Sequence, residues 1–279
     1  MTIPTLKQIF TDYRSRHLAI PAFNIDSFEI YQAVEMAVAQ TRLPCLVQLS
    51  AGEDQFIQAE RLFMLVKKAQ IDGLPIYLNM DHGQDISRLQ KLATLGFDML
   101  HFDGSTFDYQ ANLSLASAFV AQSKKISPSI LIEVEFNHIK SSQSGVDPSS
   151  FTDPHLASQF IKTCQADLLA ISVGNLHGVD INLPEKIDLN LLSQIQKNLP
   201  HTFLVMHGGS GIDPVQLTQA INYGIVKINI NTDLRLAFRQ SLQTSLSSSD
   251  TIKAYQYLEP AVADLSSLIV KKLKAFANV

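Results

Sequence analysis

A chain of 279 residues, 46% hydrophobic and 17% charged, has the composition of an ordinary globular protein and the length that one α/β domain can fill. Its net charge of −4 supplies no basic surface for nucleic acid or an anionic membrane, so any phosphate must be met by a local site. No apolar run approaches the roughly 20 residues of a membrane span. MTIPTLKQIF at the start lacks a secretory apolar core, and Cys45 and Cys164 read as buried free thiols, so the expected compartment is the cytoplasm.

Ala19–Ile25 is the first of eight short apolar runs and predicts a strand. Phe28, Tyr31, Val34, Ala37 and Val38 then trace a core-facing helical stripe, capped by Ser27. Cys45–Leu49 and Pro75–Met80 predict the second and third strands. Ile86, Leu89, Leu92 and Leu95 mark another helix, with Gly96 where a left-handed residue would end it. Phe97–Phe102, Ile130–Phe136 and Asp167–Val173 are strands four to six. Thr202–Met206 and Gly224–Ile230 complete the set. Asp153-Pro154 and Asp213-Pro214 each read as an N-cap followed by proline at the first helical position. The serine-rich stretch from Ser245 to Ser249 is expected to join the last helices. Short runs of Val, Ile, Leu and Phe fit strands buried on both faces of a parallel sheet. Eight strand-then-helix units predict a closed (β/α)8 TIM barrel, one domain over residues 1–279. A doubly wound open sheet is the runner-up, disfavoured because no GxGxxG follows the first strand.

In such a barrel, chemistry belongs at the C-terminal strand ends, where the βα loops converge on one mouth. Those ends carry Asn24, Ser50, Asp81-His82, Asp103, Glu135, His177, His207 and Asn229. Three imidazoles, His82, His177 and His207, with an open position make the ligand count of a catalytic Zn²⁺ site, and another divalent ion would suit the same set. Asp103 and Glu135 are candidates for orienting those histidines or for an alternate metal position. Asp81 reads as a general acid or base, or else as a partner orienting an imidazole. The remaining histidines (His17, His101, His138, His155 and His201) read as structural or surface groups, although a different register would turn His101 into the barrel. His207-Gly208-Gly209-Ser210-Gly211 and Asn229-Ile230-Asn231-Thr232 follow strands seven and eight, where backbone N–H groups of such barrels commonly meet a phosphate. Lys227 begins the last strand rather than ending it, which argues against Schiff-base chemistry.

Four segments resemble, in order, signatures of the class II fructose- and tagatose-bisphosphate aldolases. They are Asn79-Met80-Asp81-His82-Gly83, Gly174-Asn175-Leu176-His177-Gly178, His207-Gly208-Gly209-Ser210-Gly211-Ile212 and the run from Lys227 to Leu234. Ala22-Phe23-Asn24, Phe102-Asp103-Gly104-Ser105 and Thr152-Asp153-Pro154 look like lesser signatures of the same family. The resemblance implies that His82, His177 and His207 hold the metal, usually zinc, and that Asp81 handles the proton on the acceptor's carbonyl oxygen. By the same resemblance, Gly178, Gly208, Ser210, Asn229 and Thr232 surround the dihydroxyacetone phosphate half. A monovalent cation near Gly178, a small phosphorylated sugar as substrate and a homodimer or homotetramer are also implied. The sequence departs from the family after strand five, where Glu133-Val134-Glu135-Phe136-Asn137-His138-Ile139 replaces the usual Glu-x-Glu-Leu-Gly. The loop acid that follows in relatives has Asp147 as its nearest counterpart and Gln143 as the ungapped one. Asp180 and Ile181 stand where a tyrosine and a lysine are common. These departures leave open a related metal aldolase with another donor or acceptor, or a non-catalytic homologue that binds metal or sugar phosphate.

Overall fold

A computed structural model of the chain describes residues 3–136, 139, 147–176 and 186–279. Eight strands are present: β1 (Ile20–Asn24), β2 (Cys45–Leu49), β3 (Ile76–Gly83), β4 (Met99–Asp103), β5 (Leu131–Glu135), β6 (Leu168–Ile171), β7 (Phe203–Met206) and β8 (Ile225–Ile230). Each pairs in parallel with its neighbours, and β8 returns to β1, so the sheet is a closed (β/α)8 barrel. A helix α1 (Leu6–Ser15) precedes the first strand. The βα connections are α2 (Phe28–Thr41), the pair α3 (Ala51–Ile57) and α4 (Ala59–Ile71), α5 (Ile86–Leu95), α6 (Tyr109–Ile126), α7 (Pro154–Cys164), α8 (Leu189–Asn198) and α9 (Pro214–Asn222). The chain ends in α10 (Thr232–Ser248) and α11 (Ala254–Phe276).

The expected caps hold these helices. Ser27, Asp153 and Asp213 accept from the first backbone N–H groups of α2, α7 and α9, and Gly96 ends α5 at φ 105°. Cys45 and Cys164 are buried free thiols. No helix among the described residues is long and apolar enough to cross a membrane. Two local expectations are corrected. Phe28 is 56% exposed: the buried face of α2 runs through Ile30, Tyr31, Val34, Ala37 and Val38, and Phe28 lies to its flank, lining a groove with Met36 and Tyr255 of α11. The serines from Ser245 to Ser248 belong to α10, so the joint to α11 is Ser249–Lys253.

The interior divides along the barrel axis. Its lower part is apolar, built from residues such as Ile20, Leu46, Met99 and Leu168 near the strand starts. Leu6, Ile9, Phe10 and Tyr13 of α1 pack into the same cluster and close that end with hydrocarbon. The Tyr77 hydroxyl donates to the Pro4 carbonyl at 2.6 Å and ties the segment down. The upper part is polar. Two register shifts shape it, one in β3 between Met80 and Gly83 and one in β8, where Val205 pairs with Lys227 although Leu204 pairs with Ile225. Each adds an extra residue to one strand and reverses the pleat beyond it. In β8, Val226 joins the lower cluster, while Lys227 and Asn229 also turn inward, bonding to Glu133 and Asp81.

Candidate active site

The mouth is built on alternation. Side chains two residues apart in a strand share a face, so the inward residues at the strand ends stand on a second polar layer. Gln48, Asn79, His101, Glu133 and Lys227 form that deeper layer, and all five are 0% exposed. Above them lie Asn24, Asp81, Asp103, Glu135, His207 and Asn229, also buried. Among the described residues, four carboxylates (Asp81, Asp103, Glu133 and Glu135) thus face one lysine and three imidazoles, so the cluster calls for added positive charge.

The bulge in β3 gives His82 a left-handed backbone, φ 49°, and lets Asp81 and His82 both face the mouth. The His82 backbone N–H donates to His101 Nδ1 at 3.1 Å. On the ring, His82 Nδ1 lies 2.8 Å from Asp103 Oδ2, and His207 Nε2 lies 2.8 Å from Glu133 Oε1. A carboxylate accepts only, so each of these ring nitrogens is the protonated one in a neutral imidazole. The other two nitrogens, His82 Nε2 and His207 Nδ1, face each other at 2.9 Å, both as acceptors. Such a pair needs a cation between its lone pairs, a shared proton or a metal. Asp81, His82, His101 and His207 offer ligand atoms that all lie within 4.8 Å of one another, as do His82, Asp103 and Glu135. His101 Nε2 and Glu135 Oε2, 3.6 Å apart, are buried without a hydrogen-bond partner among the described residues. This donor set fits a divalent ion with nitrogen and oxygen ligands.

Titration follows the same geometry. Burial would raise the Asp81 carboxyl, but His82, His101, His207 and Lys227 together hold it well below the usual carboxylate range. Burial would lower His82, yet Asp81, Asp103 and Glu135 push it up to about 10. Burial and the charge on His82 push His207 down to about 4 against the pull of Glu133. Burial pushes Glu135 up to about 7.

Asp81 is held on both oxygens by amides. Its Oδ1 accepts from Asn229 Nδ2 at 3.1 Å; its Oδ2 accepts from Gln48 Nε2 at 3.1 Å and from Asn24 Nδ2 at 3.5 Å. Gln48 is fixed in turn, because its Oε1 accepts from Asn79 Nδ2 at 3.0 Å.

A cavity of about 330 Å³ opens over this cluster and is lined by Asn24, Ser50, Asp81, His82, His207, Gly208, Ser210, Asn229, Asn231, Thr232 and Arg235. Gly208, at φ +67°, has no room for a side chain: a Cβ there would fall 1.7 Å from the Leu176 carbonyl oxygen. Ser210 Oγ accepts from the Asp233 N–H at 3.2 Å and fastens the strand-seven loop to the start of α10. Arg235 reaches Asp26 at 2.6 Å and Glu53 at 2.7 Å on the rim.

Of the residues singled out in the sequence, Asp81, His82, His207, Gly208, Ser210, Asn229 and Thr232 meet at this cavity, with Asp103 and Glu135 beside His82. His177 and Gly178, like Gln143, lie outside the described residues. Asp147 caps the 3₁₀ turn Pro148–Ser150, accepting from the Ser149 N–H at 3.0 Å, and does not line the cavity. His101, read first as structural, stands inside the cluster, the alternative its register left open. Glu133, Gln48 and Arg235 carried no expected role, although Gln48 and Glu133 each precede a polar strand-end position by two residues.

Fold and site together define a class: a (β/α)8 barrel with a buried imidazole–carboxylate cluster fit for a cation beneath a polar cavity. A family model described as fructose-bisphosphate aldolase class-II matches residues 4–279. The chain belongs to that family of lyases. The fructose-bisphosphate aldolase of Mycoplasma pneumoniae is 30% identical over 244 residues, covering 85% of this chain and 83% of its own length. That of Ureaplasma parvum is 29% identical over 290 residues, covering 98% and 96%. Among solved structures, the YdjI aldolase from Escherichia coli K12 superposes with a TM-score of 0.85 at 24% identity, over 98% of this chain and 97% of its own. At that identity the likeness speaks for the fold.

Proposed function

We propose that the protein is a zinc-dependent, or otherwise divalent-metal-dependent, aldolase that cleaves and forms a ketose 1,6-bisphosphate, fructose or tagatose. The observation that carries the metal dependence is the 2.9 Å approach of His82 Nε2 and His207 Nδ1, each ring fixed from behind by a carboxylate. His82 and His207 would hold the ion, with His177 as the third ligand by its motif. Asp103 and Glu133 orient the two rings. When bound, such an ion supplies Lewis acidity, polarising the substrate ketone and stabilising the negative charge that develops as the carbon–carbon bond breaks.

Within that reading, Asp81 takes the proton from the hydroxyl on the carbon that becomes the aldehyde. The bond between that carbon and the donor carbon then breaks, and its electron pair passes into the donor half as an enediolate. A proton returned to the donor carbon completes the dihydroxyacetone phosphate; Asp147, which caps its 3₁₀ turn outside the cavity, would have to leave that cap to supply it. Asn24, Gln48 and Asn229 keep Asp81 aimed, and the positive charge around it keeps it ionised. Gly208, Ser210, Thr232 and Gly178 would surround the donor phosphate, where a helix start and a glycine-rich turn favour an anion.

The test is a retro-aldol assay on fructose and tagatose 1,6-bisphosphates before and after chelation. Cleavage that disappears with a chelator and returns with Zn²⁺ is the expected result. Turnover indifferent to chelation would refute the metal reading, and metal binding without turnover of either sugar would favour a changed donor or acceptor.

A further inference from the structure

His207 can present Nδ1 to a cation only while Nε2 carries the ring proton, and what fixes that choice is an ion pair one layer deeper in the barrel. Glu133 Oε1 lies 2.8 Å from His207 Nε2. The second carboxylate oxygen, Oε2, accepts from Lys227 Nζ at 2.7 Å. No side chain of the three is more than 1% exposed. A buried ion pair adds little net stability, because desolvating both ions offsets their attraction. Its value here is geometric: the ammonium occupies one oxygen, so the carboxylate cannot turn and the other oxygen stays aimed at the imidazole. The register shift in β8 is what brings Lys227 inside the barrel to do this.

We propose that Lys227 and Glu133 are a positioning pair for the metal centre. Lys227 fixes Glu133, Glu133 fixes the Nε2–H tautomer of His207, and Nδ1 is thereby delivered to the ion. The inference rests on the metal-centre reading above. Neither residue lines the cavity, so the pair acts through His207 and not by touching substrate.

Two measurements test it. In the zinc-loaded protein with ¹⁵N-labelled histidine, long-range ¹H–¹⁵N spectra should find His207 protonated at Nε2 and metal-shifted at Nδ1; the opposite tautomer overturns the proposal and needs no variant. Zinc affinity is then compared by chelator competition in the parent, Glu133→Gln, Lys227→Met and the double variant. Each single change should weaken binding about 10- to 100-fold, the usual loss when a group orienting a metal histidine is removed. The double variant should be no weaker than the worse single one, because both act through one contact. Ile20→Val, a packing change in the lower barrel, should lower Tm and leave affinity unchanged. Folded variants with parental affinity, or an equal loss in Ile20→Val, would overturn the pair while leaving the metal centre standing. A parent that takes up no zinc, cobalt or manganese overturns the metal-centre reading and the pair with it.

Discussion

Asp81→Asn keeps the shape of the side chain and removes its charge, so it separates proton transfer from packing. In the parent both carboxylate oxygens accept, Oδ1 from Asn229 and Oδ2 from Gln48. An amide matches only one side: its NH₂ meets a donor on the other. One buried donor is left unsatisfied, a loss of about 1–3 kcal/mol, and for a chain of this length Tm should fall by roughly 2–4 °C per kcal/mol. The effect on chemistry should be larger. Removing a positioned acid or base costs about 10²–10⁴-fold in turnover. A coupled retro-aldol assay, with zinc content measured on the same samples, reads both effects. Turnover within tenfold of the parent would refute the proton-transfer role. Zinc lost in proportion to activity would show instead that Asp81 serves to hold the ion.

Four further outcomes follow from the geometry. His207→Ala should abolish zinc retention through dialysis; full occupancy in that variant would remove His207 from the ligand set. Gly208→Ala should destabilise by more than about 1 kcal/mol, since alanine at positive φ is strained even before the clash with Leu176, and should cut turnover; a variant with parental Tm and activity would contradict the close approach. Borohydride treatment with substrate should trap no lysine adduct, because Lys227 Nζ is bound to Glu133 away from the cavity; a modified Lys227 by mass spectrometry would overturn the non-covalent reading. Burial, with Asp26 as neighbour, pushes Glu53 from 4.5 up to about 7, so the folded state binds more protons than the unfolded state between those values. The contribution of Glu53 is complete below pH 4.5 and is lost as pH rises through about 7, so Glu53→Gln should flatten the fall of Tm across that window; an unchanged slope would refute the shift.

The barrel was legible because every strand carries a largely apolar run and the helices between them have strong caps at Ser27, Asp153 and Asp213. The upper layer of the site was legible for the same reason: a polar residue at the end of an apolar run stands out. The deeper layer was harder to read. Gln48, Glu133 and Lys227 sit inside runs that are otherwise hydrophobic, where a polar residue looks like an interruption, and only the period of two links each to its neighbour above. Lys227 is further disguised by the register shift, which no alternation pattern announces. Phe28 was misread because a helical stripe gives a face and not its limits; the packing of α2 on both barrel and α11 sets those.

The closing of the lower barrel by α1 has a consequence for how freely the sequence can drift. Below, the interior asks only that volume be filled, and exchanges among Leu, Ile and Met that conserve it should cost less than about 1.5 kcal/mol. Two residues further along β2, β3, β4 and β5, Gln48, Asn79, His101 and Glu133 are each engaged in hydrogen bonds to neighbouring polar groups. Asn79→Leu would strip the partner from Gln48 Oε1 and so loosen the amide that holds Asp81, although Asn79 does not line the cavity. Tolerance to substitution should therefore change abruptly along β2 to β5, from permissive to exacting, at the height where hydrocarbon gives way to hydrogen bonds.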